Sequence, residues 1–123
     1  MAPVIRAAKE AGIATSVCVT AQHRGMLDQM MEVFGIKADF DLDLMQDNQS
    51  PLSVAARVFE TLAPVILSVQ PTWLLVQGDT TTAFAATFVG FQHRVRVGHV
   101  EAGLRTGDKW QPFPEEMNRR LVT

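Results

Sequence analysis

The sequence predicts an α/β fold, a parallel sheet with helices on both faces. Three observations carry this. Short apolar and β-branched runs, such as TWLLV at 72–76, alternate with longer segments of helical periodicity. The longest periodic segment, 51–69, spaces Leu52, Ala55, Val58, Phe59, Leu62, Val65, Ile66 and Val69 as one helical face. Acidic residues stand just beyond the strand-like runs, at the edge where open α/β sheets hold ligands.

Taken in order, residues 3–11 read as a helix that Pro3 opens and Gly12 stops. Residues 13–20 are rich in β-branched side chains and read as a strand. Residues 25–34 form an amphipathic helix whose Met26, Leu27, Met30, Met31 and Phe34 stripe is expected to pack in the core; Gly35 ends it. The alternation FDLDL at 40–44 predicts a short edge strand with Asp41 and Asp43 on a solvated face, and 46–51 a polar loop. Pro64 is expected to kink or break the 51–69 helix. The 72–76 run predicts a strand covered on both faces. A turn at 77–79 leads into a helix over 80–91, a strand over 94–100, a turn at 101–103, a loop to Pro112, and a last helix from Pro114. In that helix Glu115 and Glu116 precede Arg119 and Arg120, an order that suits the helix dipole. The chain opens on a helix, whereas a doubly wound sheet usually opens on a strand.

The 123 residues are 47% hydrophobic and 20% charged, enough apolar material for one core and no signature of disorder. With a net charge of -2 and only Arg119–Arg120 as adjacent cations, there is no basic footprint for nucleic acid. The single cysteine, Cys18, cannot form an internal disulfide and is expected to be buried and inert. No signal-like segment and no run of membrane-spanning length is read, so a cytoplasmic protein is expected.

Asp79 and Glu101 each lie just beyond a predicted strand end. The two strands are joined by one crossover helix, so their ends fall on one edge within about 5–10 Å. Glu115 follows a loop returning from that edge. Three carboxyl groups facing one cleft repel one another and raise at least one pKa, a route to general acid–base chemistry. Each has a simpler reading: Asp79 as the cap of the helix at Thr80, Glu115 as a dipole partner. A structural purpose for Glu101, between an apolar strand and an Ala–Gly turn, is harder to find. The stretch QGDTTT at 77–82 resembles an anion-binding turn, which makes Gly78 and Thr80 candidate substrate contacts, though it lacks the lysine of a P-loop. His99 is either a satisfied core histidine or a ligand contact. His23 and Arg24 sit at the ligand edge of the first strand. No His/Cys/Asp grouping has metal-ligand spacing.

Several stretches carry a resemblance: MAPVI at 1–5, VTAQHR at 19–24, MLDQ at 26–29, VQGDTTT at 76–82, VGHVEAGLRTG at 97–107 and PFPEEMNR at 112–119. Together they resemble the non-hydrolysing UDP-N-acetylglucosamine 2-epimerases over essentially the whole chain. The resemblance implies a Rossmann-like half of a GT-B-like two-domain fold. It implies interconversion of UDP-N-acetylglucosamine and UDP-N-acetylmannosamine for surface polysaccharides, by C2 deprotonation with loss and re-addition of UDP, and no nicotinamide or metal. It places the catalytic carboxylates on Asp79, Glu101 and Glu115, and substrate contacts on Gly78, Thr80, His99 and Arg105. Gln22 and His23 match a region that in some members touches a second, regulatory substrate molecule. It further implies a first strand and basic turn before Met1, and a nucleotide-binding domain after Thr123. Residues 1–123 are then one incomplete N-terminal domain, and the whole protein is expected to form a dimer that engages neither nucleic acid nor membrane. Gly25 stands where many regulated members carry a larger polar residue, and Asn48 where some carry Arg. Two alternatives remain: a hydrolysing relative that releases N-acetylmannosamine and UDP, and a non-catalytic interaction module.

Overall fold

The computed structural model describes residues 1–21, 24–44 and 48–123, with Arg24 described in its backbone alone. The chain falls into two compact units, 1–46 and 47–123.

The first unit contains α1 (Ala2–Glu10), β1 (Cys18–Val19), α2 (Arg24–Val33) and β2 (Phe40–Asp41). Both helices stop as the sequence predicts. The N–H groups of Gly12 and Ile13 return to the carbonyls of Lys9 and Ala8, and those of Gly35 and Ile36 to Glu32 and Met31. A glycine in the left-handed region makes each closure possible, with φ of 71° at Gly12 and 61° at Gly35. β1 and β2 are parallel, Cys18 opposite Phe40.

Four expectations are corrected here. The strand expected over 13–20 shrinks to two residues. Ahead of it the Val17 N–H is taken by the Asp39 carboxylate at 2.7 Å rather than by a ladder carbonyl. The FDLDL strand is as short, because Asp41 accepts the Asp43 N–H at 3.1 Å and Asp43 turns the chain with φ 44°. Met26, Met30 and Phe34 are exposed, as is Cys18, where core packing was expected. Periodicity reveals an apolar face without saying what covers it.

The second unit contains α3 (Pro51–Val69), β3 (Trp73–Gln77), α4 (Thr81–Gln92), β4 (Arg96–Val100) and α5 (Glu115–Val122). Ser50 caps α3, accepting the Ser53 N–H at 3.1 Å, and Pro51 occupies the first turn, where its missing N–H costs nothing. The helix runs unbroken through Pro64 to Val69. Its buried face, Val54, Ala55, Val58, Leu62 and Ile66, packs on α4, whose own buried residues are the small Ala83, Ala85, Ala86, Val89 and Gly90. Phe59 meets Phe84 edge-on and Phe88 at a tilt, centroids 6.5 and 5.5 Å apart. By length and composition α3 is apolar enough to cross a membrane, which corrects the expectation that no segment is; one of its faces packs on α4.

β3 and β4 are parallel neighbours joined through α4, in register from Trp73 opposite Arg96 to Gln77 opposite Val100. Gly90 lets α4 lie close on them, since a Cβ there would come within 2.9 Å of the Leu74 side chain and 3.1 Å of Val97. Val76 is buried, but Trp73 and Leu75 are exposed, so one face of β3 is covered where two were expected.

Candidate active site

β3 and β4 end together, with Gln77 opposite Val100. Beyond Gln77 the chain turns at Gly78, whose N–H donates to the Val100 carbonyl at 3.0 Å and whose φ is 73°. Asp79 follows, then Thr80. The cap of α4 is Thr80 and not Asp79: its hydroxyl accepts the Ala83 N–H at 3.1 Å. Asp79 is therefore free of the simplest structural role available to it.

Glu101, the first residue beyond β4, is exposed and adopts a left-handed φ of 61°. That conformation costs a non-glycine residue about 1 kcal/mol or more. The Glu101 carboxylate accepts a hydrogen bond from the Gln77 side chain at 3.1 Å, so the last residue of β3 holds the first residue after β4. Glu115 opens α5, half-buried, with no hydrogen bond or ion pair to its side chain among the described residues.

α5 bonds to this edge through Arg119 and Asn118, and Glu116 stands behind Arg119. Arg119, 6% exposed, donates to Asp79 Oδ2 from Nε at 2.8 Å and from Nη2 at 2.6 Å. Asn118 donates to the Asp79 carbonyl at 2.8 Å. Glu116 is fully buried. Its carboxylate accepts the N–H groups of Thr106 at 3.0 Å and Gly107 at 3.3 Å, the Arg120 Nε at 3.1 Å and the Arg119 Nη1 at 3.4 Å. The Thr106 N–H is the largest influence lowering the Glu116 pKa to about 2; burial opposes it, and Arg120, Gly107 and Arg119 add to it. The Arg119 pKa is raised, first by its bonds to Asp79. The repulsion expected among three carboxylates is thus offset at Asp79 by a buried cation. Glu116, Asn118 and Arg119 were missed, although the i, i+3 and i, i+4 spacing of Glu116 with Arg119 and Arg120 is visible in the sequence.

The candidate substrate contacts divide. Gly78 and Thr80 lie in the turn beside Asp79. His99 has both ring nitrogens engaged within the chain: Nε2 is 2.7 Å from the Gly78 carbonyl and Nδ1 2.9 Å from the Thr123 hydroxyl. A carbonyl only accepts, so Nε2 is the donor to Gly78. Arg105 is exposed and donates to the carbonyls of its own loop, Ala102 at 2.8 Å and Leu104 at 2.7 Å. Gln22 and His23 lie outside the described residues.

Cys18 belongs to the first unit. Loss of water around the sulfur, and next the Asp41 charge, push its thiol up to about 11, although the residue as a whole is exposed. No group of three or more His, Cys, Asp or Glu side chains among the described residues is arranged to hold a metal ion. A hollow of about 480 Å³ lined by Phe91, Gln92, Arg94, Val95 and Arg96 opens at the amino end of β4, away from the carboxylates.

Acidic side chains gathered at the carboxyl edge of a parallel strand pair, one braced by a buried arginine, are the arrangement of an α/β enzyme. Known proteins narrow the class. The sequence profile of the family described as UDP-N-acetylglucosamine 2-epimerase matches residues 6–123. The chain is 51% identical to the UDP-N-acetylglucosamine 2-epimerase of Yersinia pestis and 49% identical to that of Escherichia coli K12, covering 99% of itself and 33% of each. Its fold superposes with a TM-score of 0.94 on the crystal structure of the Neisseria meningitidis UDP-GlcNAc 2-epimerase bound to UDP-GlcNAc, 48% identical, over 99% of this chain and 33% of that one. The Methanocaldococcus jannaschii enzyme in complex with UDP-GlcNAc and UDP gives a TM-score of 0.90 at 29% identity, over 98% and 33%. The chain belongs to the UDP-N-acetylglucosamine 2-epimerase family of isomerases and has the α/β fold of these GT-B-like enzymes. It spans about a third of the length of the curated relatives it matches.

Proposed function

We propose that this chain supplies the proton-transfer carboxylates of an enzyme that interconverts UDP-N-acetylglucosamine and UDP-N-acetylmannosamine. The observation that carries the reading is the shared edge: Asp79 gripped by Arg119, Glu101 held by Gln77, and Glu115 at the head of the helix that carries Arg119. A base removes the C2 proton. The C–H electron pair becomes the C1–C2 double bond, and the C1–oxygen bond breaks with its electrons leaving on UDP. Re-addition of UDP at C1 and of a proton to the other face of C2 completes the inversion. The sequence of steps is redox-neutral. One or two of Asp79, Glu101 and Glu115 serve as acid and base around C2, and another steadies the charge that develops. Gly78 and Thr80, in the turn beside Asp79, are the contacts for the anionic part of the nucleotide sugar. Residues 1–123 act as the Rossmann-like N-terminal part of a whole protein that is cytoplasmic and dimeric.

The test is proton NMR in heavy water with UDP-N-acetylglucosamine. It is run on the chain alone and on the chain substituted for the aligned third of the Escherichia coli relative. Deuterium at C2 with UDP-N-acetylmannosamine appearing is the expected result for the substituted enzyme. Free N-acetylmannosamine with UDP shows the hydrolysing reaction instead. No exchange in a folded substituted enzyme overturns the reading.

A further inference from the structure

The ion pair of Asp79 with Arg119 is asymmetric. Both guanidinium N–H groups that reach Asp79, Nε at 2.8 Å and Nη2 at 2.6 Å, go to Oδ2. No hydrogen bond to Oδ1 is present among the described residues. The Asp79 main chain is fixed as well, its carbonyl accepting from Asn118 at 2.8 Å. The aspartate side chain is 29% exposed and the arginine 7%. One carboxylate oxygen is thus spent on Arg119, and the other is left without a bond among the described residues.

Arg119 is itself held from behind. Its Nη1 lies 3.4 Å from the carboxylate of the fully buried Glu116, which also takes the Thr106 and Gly107 N–H groups. A continuous chain of bonds therefore runs from the Thr106–Gly107 turn through Glu116 and Arg119 to Asp79 Oδ2. A buried ion pair gives little net stability, because the cost of desolvating two charges offsets most of their attraction. What a forked guanidinium supplies is direction, by fixing a carboxylate in one orientation.

We propose that Arg119 is a positioning residue, backed by Glu116, which fixes Asp79 through Oδ2 so that Oδ1 alone meets the substrate. This rests on the epimerase reading of Asp79. Lysine cannot replace the arginine, because one ammonium cannot make two bonds to Oδ2 and a third to Glu116 in the same geometry.

The test uses the chain substituted for the aligned third of the Escherichia coli relative, comparing the parent with Arg119→Lys, Arg119→Ala and Glu116→Gln. Arg119→Lys is expected to lower kcat by about 10²-fold, the loss that a misplacement of roughly 1 Å produces, with KM within about threefold. Arg119→Ala is expected to lose at least as much and to recover on the order of tenfold in kcat with added guanidinium, which refills the vacated position. Glu116→Gln is expected to fall between the parent and Arg119→Lys. Circular dichroism and the UDP-binding stoichiometry give the folded fraction, so kcat is stated per folded site. A kcat per folded site within about threefold of the parent in Arg119→Lys overturns the proposal and leaves the epimerase reading intact. So does loss in Arg119→Ala that guanidinium does not touch, since a merely structural arginine gives that result. An inactive parent overturns the epimerase reading first and this inference with it.

Discussion

Gln77 Nε2 lies 3.1 Å from Glu101 Oε2, and this bond joins the last residue of β3 to the first residue beyond β4. The register makes it possible, since Gln77 stands opposite Val100. Exposed neutral-to-charged bonds contribute little to folding, so the consequence belongs to the chemistry. Gln77→Ala is expected to lower kcat/KM for epimerisation by roughly tenfold while the melting temperature moves by no more than about 2 °C. Gln77→Glu, which sets a like charge against Glu101, should cost more. Equal kcat/KM in all three forms would remove Gln77 from the site.

Acid stability reports on Glu116. Its pKa is about 2 in the folded chain against an ordinary 4.5, so the folded state holds the proton less tightly. The stabilisation is fully present above pH 4.5 and is lost as pH falls from there toward 2. Denaturant midpoints measured between pH 6 and pH 2 should decline across that window, and Glu116→Gln should flatten the decline and lower the plateau above it. An unchanged acid limb in Glu116→Gln would show that its bonds to Thr106, Gly107 and Arg120 do not hold in solution.

The Cys18 thiol, at about 11, is overwhelmingly protonated at neutral pH. Since the thiolate is the nucleophile, alkylation by iodoacetamide should be slow at pH 7 and rise about tenfold per pH unit toward 11, despite the exposure of the residue. Asp41→Asn removes the second of the two causes and should shift the profile to lower pH. A rate that levels off near pH 8.5, the ordinary value for a free cysteine, would show that neither cause operates.

Much of the second unit was legible because its signals are long. The α3 periodicity spans 19 residues, and the crossover through α4 makes β3 and β4 neighbours with their ends aligned. Those two facts place Asp79 and Glu101 on one edge. The first unit was less legible: a β-branched run predicts extended backbone but not that Asp39 would take the Val17 N–H and interrupt the pairing. The Glu116–Arg119 pair escaped for a different reason. On a short helix, charges spaced to suit the dipole look the same whether solvent or Asp79 receives them, and only tertiary structure distinguishes the two.

Glu101 sets function against stability. A glutamate at φ 61° is strained by about 1 kcal/mol or more, and its exposed carboxylate gains too little from Gln77 to repay that. Asparagine enters the left-handed region far more readily than glutamate. Glu101→Asn is therefore expected to melt at or above the parent temperature, because the turn after β4 no longer opposes the side chain that occupies it. It also lacks the carboxylate, so exchange at C2 should fall by 10²-fold or more, within the range lost when a group acting on the developing charge is removed. The two effects have opposite signs, which separates them from simple unfolding. Calorimetry and heavy-water NMR on one preparation read both. A variant that is less stable and inactive would mean that Glu101 holds the turn, and one that is more stable and fully active would remove it from the chemistry.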